Sequence, residues 1–192
     1  MGVATIITVM TLIQGANRYV SEKIANLGTN VFQVAKTPFA STDFNLFIKS
    51  AKYKRLEYAQ FEAVARACRN CDLTGATVGT QTRVRHGETE IQDVSLSGQT
   101  ATMAIIDTRT IDLGRFFTAS EDDHASPVCL IGAGLREQFF AGGDPLGQTV
   151  RIGNQEYTVI GTFEKIGSVL GQDSDTFAVV PIQTFLRTRG SR

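Results

Sequence analysis

The chain has 192 residues, enough for one globular domain with a sizeable core. Lys plus Arg and Asp plus Glu number 19 each, and the basic residues are dispersed rather than gathered into a stripe, so the electrostatic footprint of a nucleic-acid binder is missing. At 42% hydrophobic and 20% charged, without repeats or biased tracts, the composition also excludes a disordered or low-complexity chain.

From Met1 to Gln14 the sequence MGVATIITVMTLIQ is apolar, and the first charge arrives at Arg18. A bilayer-spanning helix needs about 20 apolar residues, so the run reads as the end of a membrane helix whose beginning precedes Met1. A secretory signal fits less well, because no Lys or Arg stands before the apolar stretch; a buried core helix is the other reading of so short a run. After Gly15, the residues Ala16, Val20, Ile24 and Leu27 recur at helical spacing, Arg18, Glu22 and Lys23 fall on other faces, and Gly28 suits the position just past a helix end. Residues 1–28 are therefore expected to leave a membrane and continue into water as an amphipathic stalk.

Asn30 to Ala35 (NVFQVA) has the β-branched and aromatic density of a strand, and Thr37 to Lys54 is a polar, aromatic-dotted connection. In Leu56 to Cys68, Phe61, Val64, Ala65 and Cys68 fall at i, i+3, i+4, i+7, which predicts a helix packed on a sheet. Leu73 to Ser97 predicts two strands turning near His86-Gly87. The alternation at Thr89 and Ile91 slips before Val94 and Leu96, which places a β-bulge near Gln92-Asp93. Met103 to Asp112 reads as extended. Thr118 and Glu121 have capping-box spacing, ahead of a short buried strand, Pro127 to Ile131, that leads into a helix carrying Leu135, Phe139 and Phe140. Asp144-Pro145-Leu146-Gly147 has the residues a type I turn prefers at its first, second and fourth places. Thr149 to Phe163 predicts a hairpin turning at Gly153-Asn154, with Tyr157, Val159 and Phe163 on one face. A last strand, Phe177 to Val180, ends at Pro181 before a helical turn at Gln183 to Arg187. Strands and helices are mixed, which gives the class α+β.

Four groups of residues invite a chemical reading. Val128 to Glu137 (VCLIGAGLRE) imitates a dinucleotide fingerprint, with Gly132 and Gly134 at G-x-G before a helix; Glu137 takes the third glycine's place and Asp144-Pro145 ends the helix early, which favours a plain β–α turn. Cys68-Arg-Asn-Cys71 has redox or zinc spacing, yet it closes a helix instead of opening one, and no second pair completes a zinc site. The pair reads as ordinary thiols, or as a local disulfide if the domain is exported; Cys129 makes the count odd, and the redox compartment stays open. His86 and His124 have Ser and Asp residues nearby in sequence but no nucleophile-elbow motif. Glu121-Asp122-Asp123 and Asp173-Ser174-Asp175 lack the spacing and glycine of a calcium loop and read as solvated turns. No catalytic, cofactor-binding or metal-ligating residue is assigned.

Three stretches, in order, resemble the periplasmic core domain of MacB-type ABC-transporter permeases, the superfamily of macrolide exporters, lipoprotein-sorting and cell-division permeases. GVATIITVMTLIQGANRYVSEKIANLGTNVFQV is similar to the family's membrane helix, stalk and first strand, with Leu27, Gly28, Thr29 and Asn30 carrying the likeness. IDLGRFFTASEDDHASPVCLIG matches at Gly114, Arg115, Phe117, Thr118, Glu121 and Gly132. FFAGGDPLGQTVRIGNQEYTVIGTFEKIGSVLGQDSDTFAVVPIQT resembles the family's Asp-Pro-Leu-Gly turn, hairpin, Val-Ile-Gly strand and closing Val-Pro-Ile. The resemblance implies an extracytoplasmic core domain over 29–192, with a porter-like strand-helix-strand part about 29–97 and 166–192 and a smaller β-rich part inserted at about 98–165. It implies no enzymatic activity and no cofactor in this chain. The implied partners are a second permease subunit, an ABC ATPase domain or subunit, the cell (inner) membrane through the N-terminal helix and, in systems that use one, a periplasmic adaptor protein. The implied action is transmission of ATP-driven motion from the membrane helices to substrate or adaptor. Cargo is not assigned. Two rival readings are a soluble nucleotide-binding enzyme built on Gly132 and Gly134, and a surface ligand-binding module.

Overall fold

In a computed structural model, which describes residues 10–11, 31–36, 48–50, 52–54, 56–169 and 172–189, the elements follow the predicted order closely from residue 56 onward. Helix α1 (Tyr58–Ala67) precedes the hairpin of β1 (Thr77–His86) and β2 (Thr89–Gln99). Then come α2 (Met103–Ile106), β3 (Ile111–Gly114), α3 (Ala119–Asp123), β4 (Val128–Ile131), α4 (Ala133–Phe140), the hairpin of β5 (Thr149–Ile152) and β6 (Gln155–Phe163), two short strands β7 (Ser168–Val169) and β8 (Gln172–Asp173), β9 (Phe177–Pro181) and α5 (Ile182–Arg189).

Seven strands form one mixed sheet in the order β3-β6-β4-β9-β2-β1-β5, and β5 also pairs with β6. Six strands thereby close into a ring, in which β2–β9 and β4–β6 are parallel and the other pairs antiparallel. All six feed one core: Val84 from β1, Val94 and Leu96 from β2, Cys129 and Ile131 from β4, Val150 and Ile152 from β5, Tyr157 and Val159 from β6, and Ala178 and Val180 from β9. Leu135 of α4 and Phe185 of α5 join it. A second cluster, Phe117, Leu130, Phe163, Phe177 and Val179, packs on the other face of β4 and β9. Strand β9 is buried on both sides, which is why it reads as a continuous apolar run rather than an alternating one. The sheet takes β3 to β6 from the stretch 98–165, and β1, most of β2 and β9 from the stretches flanking it.

Of three register shifts in the sheet, one adds Asp112 to β3 and the other two set the side-chain phase of the ring. Between β1 and β2 the register runs Thr82↔Val94 and then Val84↔Ile91, so Arg83 faces both Gln92 and Asp93, and Asp93 takes φ 55°. This is the predicted slip, and it keeps Ile91 on the same side as Val94 and Leu96. The second bulge was not expected. Cys129 pairs with Val159 but Leu130 with Gly161, so Ile160 is an extra residue in β6. Tyr157 and Val159 stay in the ring, whereas Phe163 turns into the second cluster; the expectation that all three share one face is corrected by that inserted residue.

Other local expectations also change. Met103–Ile106 is a helical turn, not extended: Asp107 N–H closes it on Met103 C=O (2.8 Å), Thr102 Oγ1 ties its start to the distant Thr74 C=O (2.7 Å), and Met103 is buried. The turn after α4 falls one residue later than predicted, with Gln148 N–H donating to Pro145 C=O (3.2 Å) and Gly147 at its third place with φ 76°, where a positive φ requires glycine. Asp144 Oδ1 instead accepts from Leu146 N–H (3.0 Å). Helix α1 forms where predicted, held by a reciprocal Glu57–Gln60 capping box, yet none of its residues is buried and Val64 is 63% exposed, so the expected packing on a sheet is not found among the described residues. Residues 31–35 carry no strand pairing, and Phe32 and Val34 are exposed. The stalk reading over 1–28 lies outside the described residues except for Met10 and Thr11, and no helix of the described residues is long and apolar enough to cross a membrane.

Candidate functional site

The strongest enzymatic motif resolves into architecture. Gly132 closes β4 and serves as the N-cap of α4. Its N–H donates to Phe177 C=O (2.8 Å), and Gly134 N–H donates to Asp175 C=O (3.0 Å). A Cβ at Gly132 would stand 2.2 Å from the Asp175 carbonyl oxygen, and one at Gly134 would stand 2.9 Å from Thr176 Oγ1. The glycines exist so that residues 175–177 can pass over the helix start. The place where a pyrophosphate would meet free N–H groups is filled by main chain. Glu137, the residue that breaks the fingerprint, pairs with Lys165 (2.9 Å) at the surface.

The remaining candidates also serve their own backbone. His86 contacts Phe140 (centroids 4.6 Å apart), and its Nδ1–H donates to Thr149 C=O (2.9 Å); His124 Nδ1–H donates to Ser120 C=O (2.7 Å) within its own helix end. Each ring thus stands on a main-chain carbonyl, and His124 Nδ1 also lies 3.4 Å from the Ser120 hydroxyl of the same helical turn. Buried Asp175 accepts from Ile166 N–H (2.7 Å) and Gly167 N–H (2.9 Å), tying down the chain after β6. Cys68 and Cys71 form a disulfide with Cα atoms 5.6 Å apart, while Cys129 is free and fully buried, and burial pushes its thiol far up. Among the described residues no group of three His, Cys, Asp or Glu is placed to hold a metal ion.

The three acids of α3 do different work. Glu121 completes the predicted capping box with Thr118 and receives a two-pronged ion pair from Arg115 (2.7 Å to each oxygen). The Arg115 hydrogen bonds, with those from Thr118, hold its carboxyl down at about 2. Asp122, nearly fully buried, accepts from Gln183 N–H (3.1 Å) and so caps α5 from a distance in sequence. Burial raises its pKa, opposed by the N–H groups of Gln183, Ala101 and Ile182. Tyr58 of α1 lies near the same junction, where burial raises its phenol against an opposing interaction with Gln183. Sequence reasoning found the capping box; it missed Asp122, whose partner is separated from it by the whole β4-to-β9 segment.

A small cleft opens beside the second cluster. Arg109 pairs with Asp107 through Nε (3.0 and 2.9 Å to the two carboxylate oxygens) and Nη2, and its guanidinium lies 4.8 Å from the centroids of both Phe163 and Phe177. With Met103, Ala104, Ile111 and Phe116 it lines a cavity of about 200 Å³, below the roughly 300 Å³ at which small-molecule sites begin.

The closed mixed sheet with short helices packed on it defines a mixed α+β domain. The chain belongs to the MacB-like periplasmic core domain family, whose sequence profile matches residues 1–192. It is 26% identical over 182 residues to the macrolide export ATP-binding/permease protein MacB of Syntrophobacter fumaroxidans, covering 94% of this chain and 25% of that protein. The crystal structure of the periplasmic region of MacB from Actinobacillus actinomycetemcomitans superposes with a TM-score of 0.67 at 20% identity, over 89% of this chain and 74% of that one. The extracellular domain of the noncanonic ABC-type transporter YknZ from Gram-positive bacteria gives 0.59 at 19% identity, over 70% of this chain and 66% of that one. The chain thus spans about a quarter of the length of the curated relatives it matches.

Proposed function

We propose that this chain is the extracytoplasmic domain of an ABC-transporter permease and that it transmits ATP-driven motion of membrane helices to substrate or to an adaptor protein. The observation that carries the reading is the family match over the whole chain, which includes residues 1–28 with their apolar-to-amphipathic pattern. In this reading residues 1–28 are the end of the first membrane helix and its stalk, the intact protein works as a dimer, and ATP is hydrolysed by a separate or fused ATPase. The ring of strands supports the reading physically, since a closed sheet with a continuous core moves as one body. The rival nucleotide-enzyme reading is opposed by the occupied start of α4.

The test places Glu22→Cys in the full-length transporter and treats intact cells, permeabilised at any outer membrane, with a membrane-impermeant bis-maleimide. Cross-linked dimers and a loss of transporter ATP turnover on cross-linking are expected. Full turnover in cross-linked dimers would sink transmission. Labelling seen only after the inner membrane is opened would sink the extracytoplasmic location.

A further inference from the structure

We propose that Cys68–Cys71 is a thiol–disulfide exchange site, a client of extracytoplasmic dithiol carriers, whose state sets how firmly helix α1 is held. Both cysteines are partly exposed, and Cys68 is the C-cap residue of α1, with its N–H donating to Val64 C=O (2.9 Å). The bridge therefore fastens the last turn of α1 to the chain that runs into β1.

Three further observations turn that staple into an exchangeable one. The bridge closes a very short loop, the kind that adds least to the stability of a fold, so opening it does not threaten the ring. Helix α1 has no buried residue among the described residues, which leaves it free to open locally while the sheet stays intact. The third thiol, Cys129, is sealed in the ring core and offers no wrong partner. Exposed bridges of this kind are the labile ones. A helix C-terminus disfavours a thiolate, which makes the pair a recipient of exchange rather than an oxidoreductase in its own right. Arg66 and Arg69 beside it temper that cost.

The step balances. A carrier thiolate attacks one sulfur, the Cys68–Cys71 bond breaks as a mixed disulfide forms, and the departing cysteine thiolate takes a proton from water. The carrier's second thiol gives up its proton and displaces the remaining cysteine, which is protonated in turn. Two electrons pass from the carrier to the pair, and a disulfide carrier reverses the process. The consequence is mechanical. Reduction frees the last turn of α1 from the chain that runs into β1.

The inference rests on the extracytoplasmic reading only for the identity of the carrier, so its test uses the purified chain. Dithiothreitol, and reduced thioredoxin as a protein probe, should make two cysteines alkylatable and leave the third protected. Amide exchange across 58–67 should then quicken on the order of tenfold while β2, β4 and β9 are unchanged, reversing on reoxidation. The double variant Cys68→Ser, Cys71→Ser should show the fast α1 exchange without reductant. The proposal is overturned if the bridge resists both reductants until the ring unfolds, or if α1 exchange is the same with the pair reduced.

Discussion

Helices α1 and α5 are both short and both carry an apolar stripe, yet they end in opposite situations. Helix α5 follows β9 without a connecting loop, has its first turn capped by buried Asp122, and drops Phe185 into the ring core. The sheet makes room for it: a Cβ on Gly98 would lie 2.6 Å from that of Phe185, so β2 carries a glycine where the helix sits down. Helix α1 has its own capping box and a clear periodicity, and buries nothing among the described residues. Periodicity decides that a helix forms; a notch in the partner surface and a cap from another element decide whether it is held.

That contrast is sharpened first by Phe185→Ala, which removes a ring from the core and is expected to cost about 3–5 kcal/mol, measured by urea denaturation of β-sheet circular dichroism. A loss under about 1 kcal/mol would mean that α5 lies on the sheet as loosely as α1 does.

A smaller effect is expected from Glu121→Gln, because α3 holds the cap of α5. Glu121 is lowered from 4.5 to about 2, so it stabilises the fold above its ordinary value and loses that contribution as pH falls toward 2. Buried Asp122 runs the other way: its raised pKa means that its charged form is disfavoured, and stability is lost as pH rises through its folded value. Melting temperatures of the wild type and Glu121→Gln should therefore differ at neutral pH and converge as the acid limb is entered. A constant gap across that range would show that the Arg115 pair does not titrate with folding.

Val64→Ala, on the exposed stripe of α1, should change stability by no more than about 0.5 kcal/mol in the same denaturation experiment. A core-sized loss would mean that α1 is covered after all.

Much of the fold was legible because its signals are local. The bulge at Gln92-Asp93 shows as a slip in alternation, the Thr118–Glu121 box as a spacing, and the β5–β6 hairpin as Gly153, which takes φ 61°. What was missed depends on distant partners. The face of Phe163 is set by an extra residue in β6 that only the pairing with β4 reveals. Met103–Ile106 coils because Thr102 finds the Thr74 carbonyl, and the ring closes because β5 finds β1 as well as β6. The Gly132–Gly134 stretch reads as a plain β–α turn on sequence grounds, but the packing reason for its glycines, a carbonyl of residue 175 lying against the helix start, has no local signature.

Ring closure also limits where another strand could add to the sheet. Among the described residues, β3 keeps one edge without a partner strand, and β1 meets β5 only at Val84 and Arg85; β3 is four residues long, with Asp112 paired to Arg136 and Gly114 at φ 77° at its end. Short, charged and kinked edges are poor templates for strand addition. Strand addition is therefore disfavoured at the β3 edge.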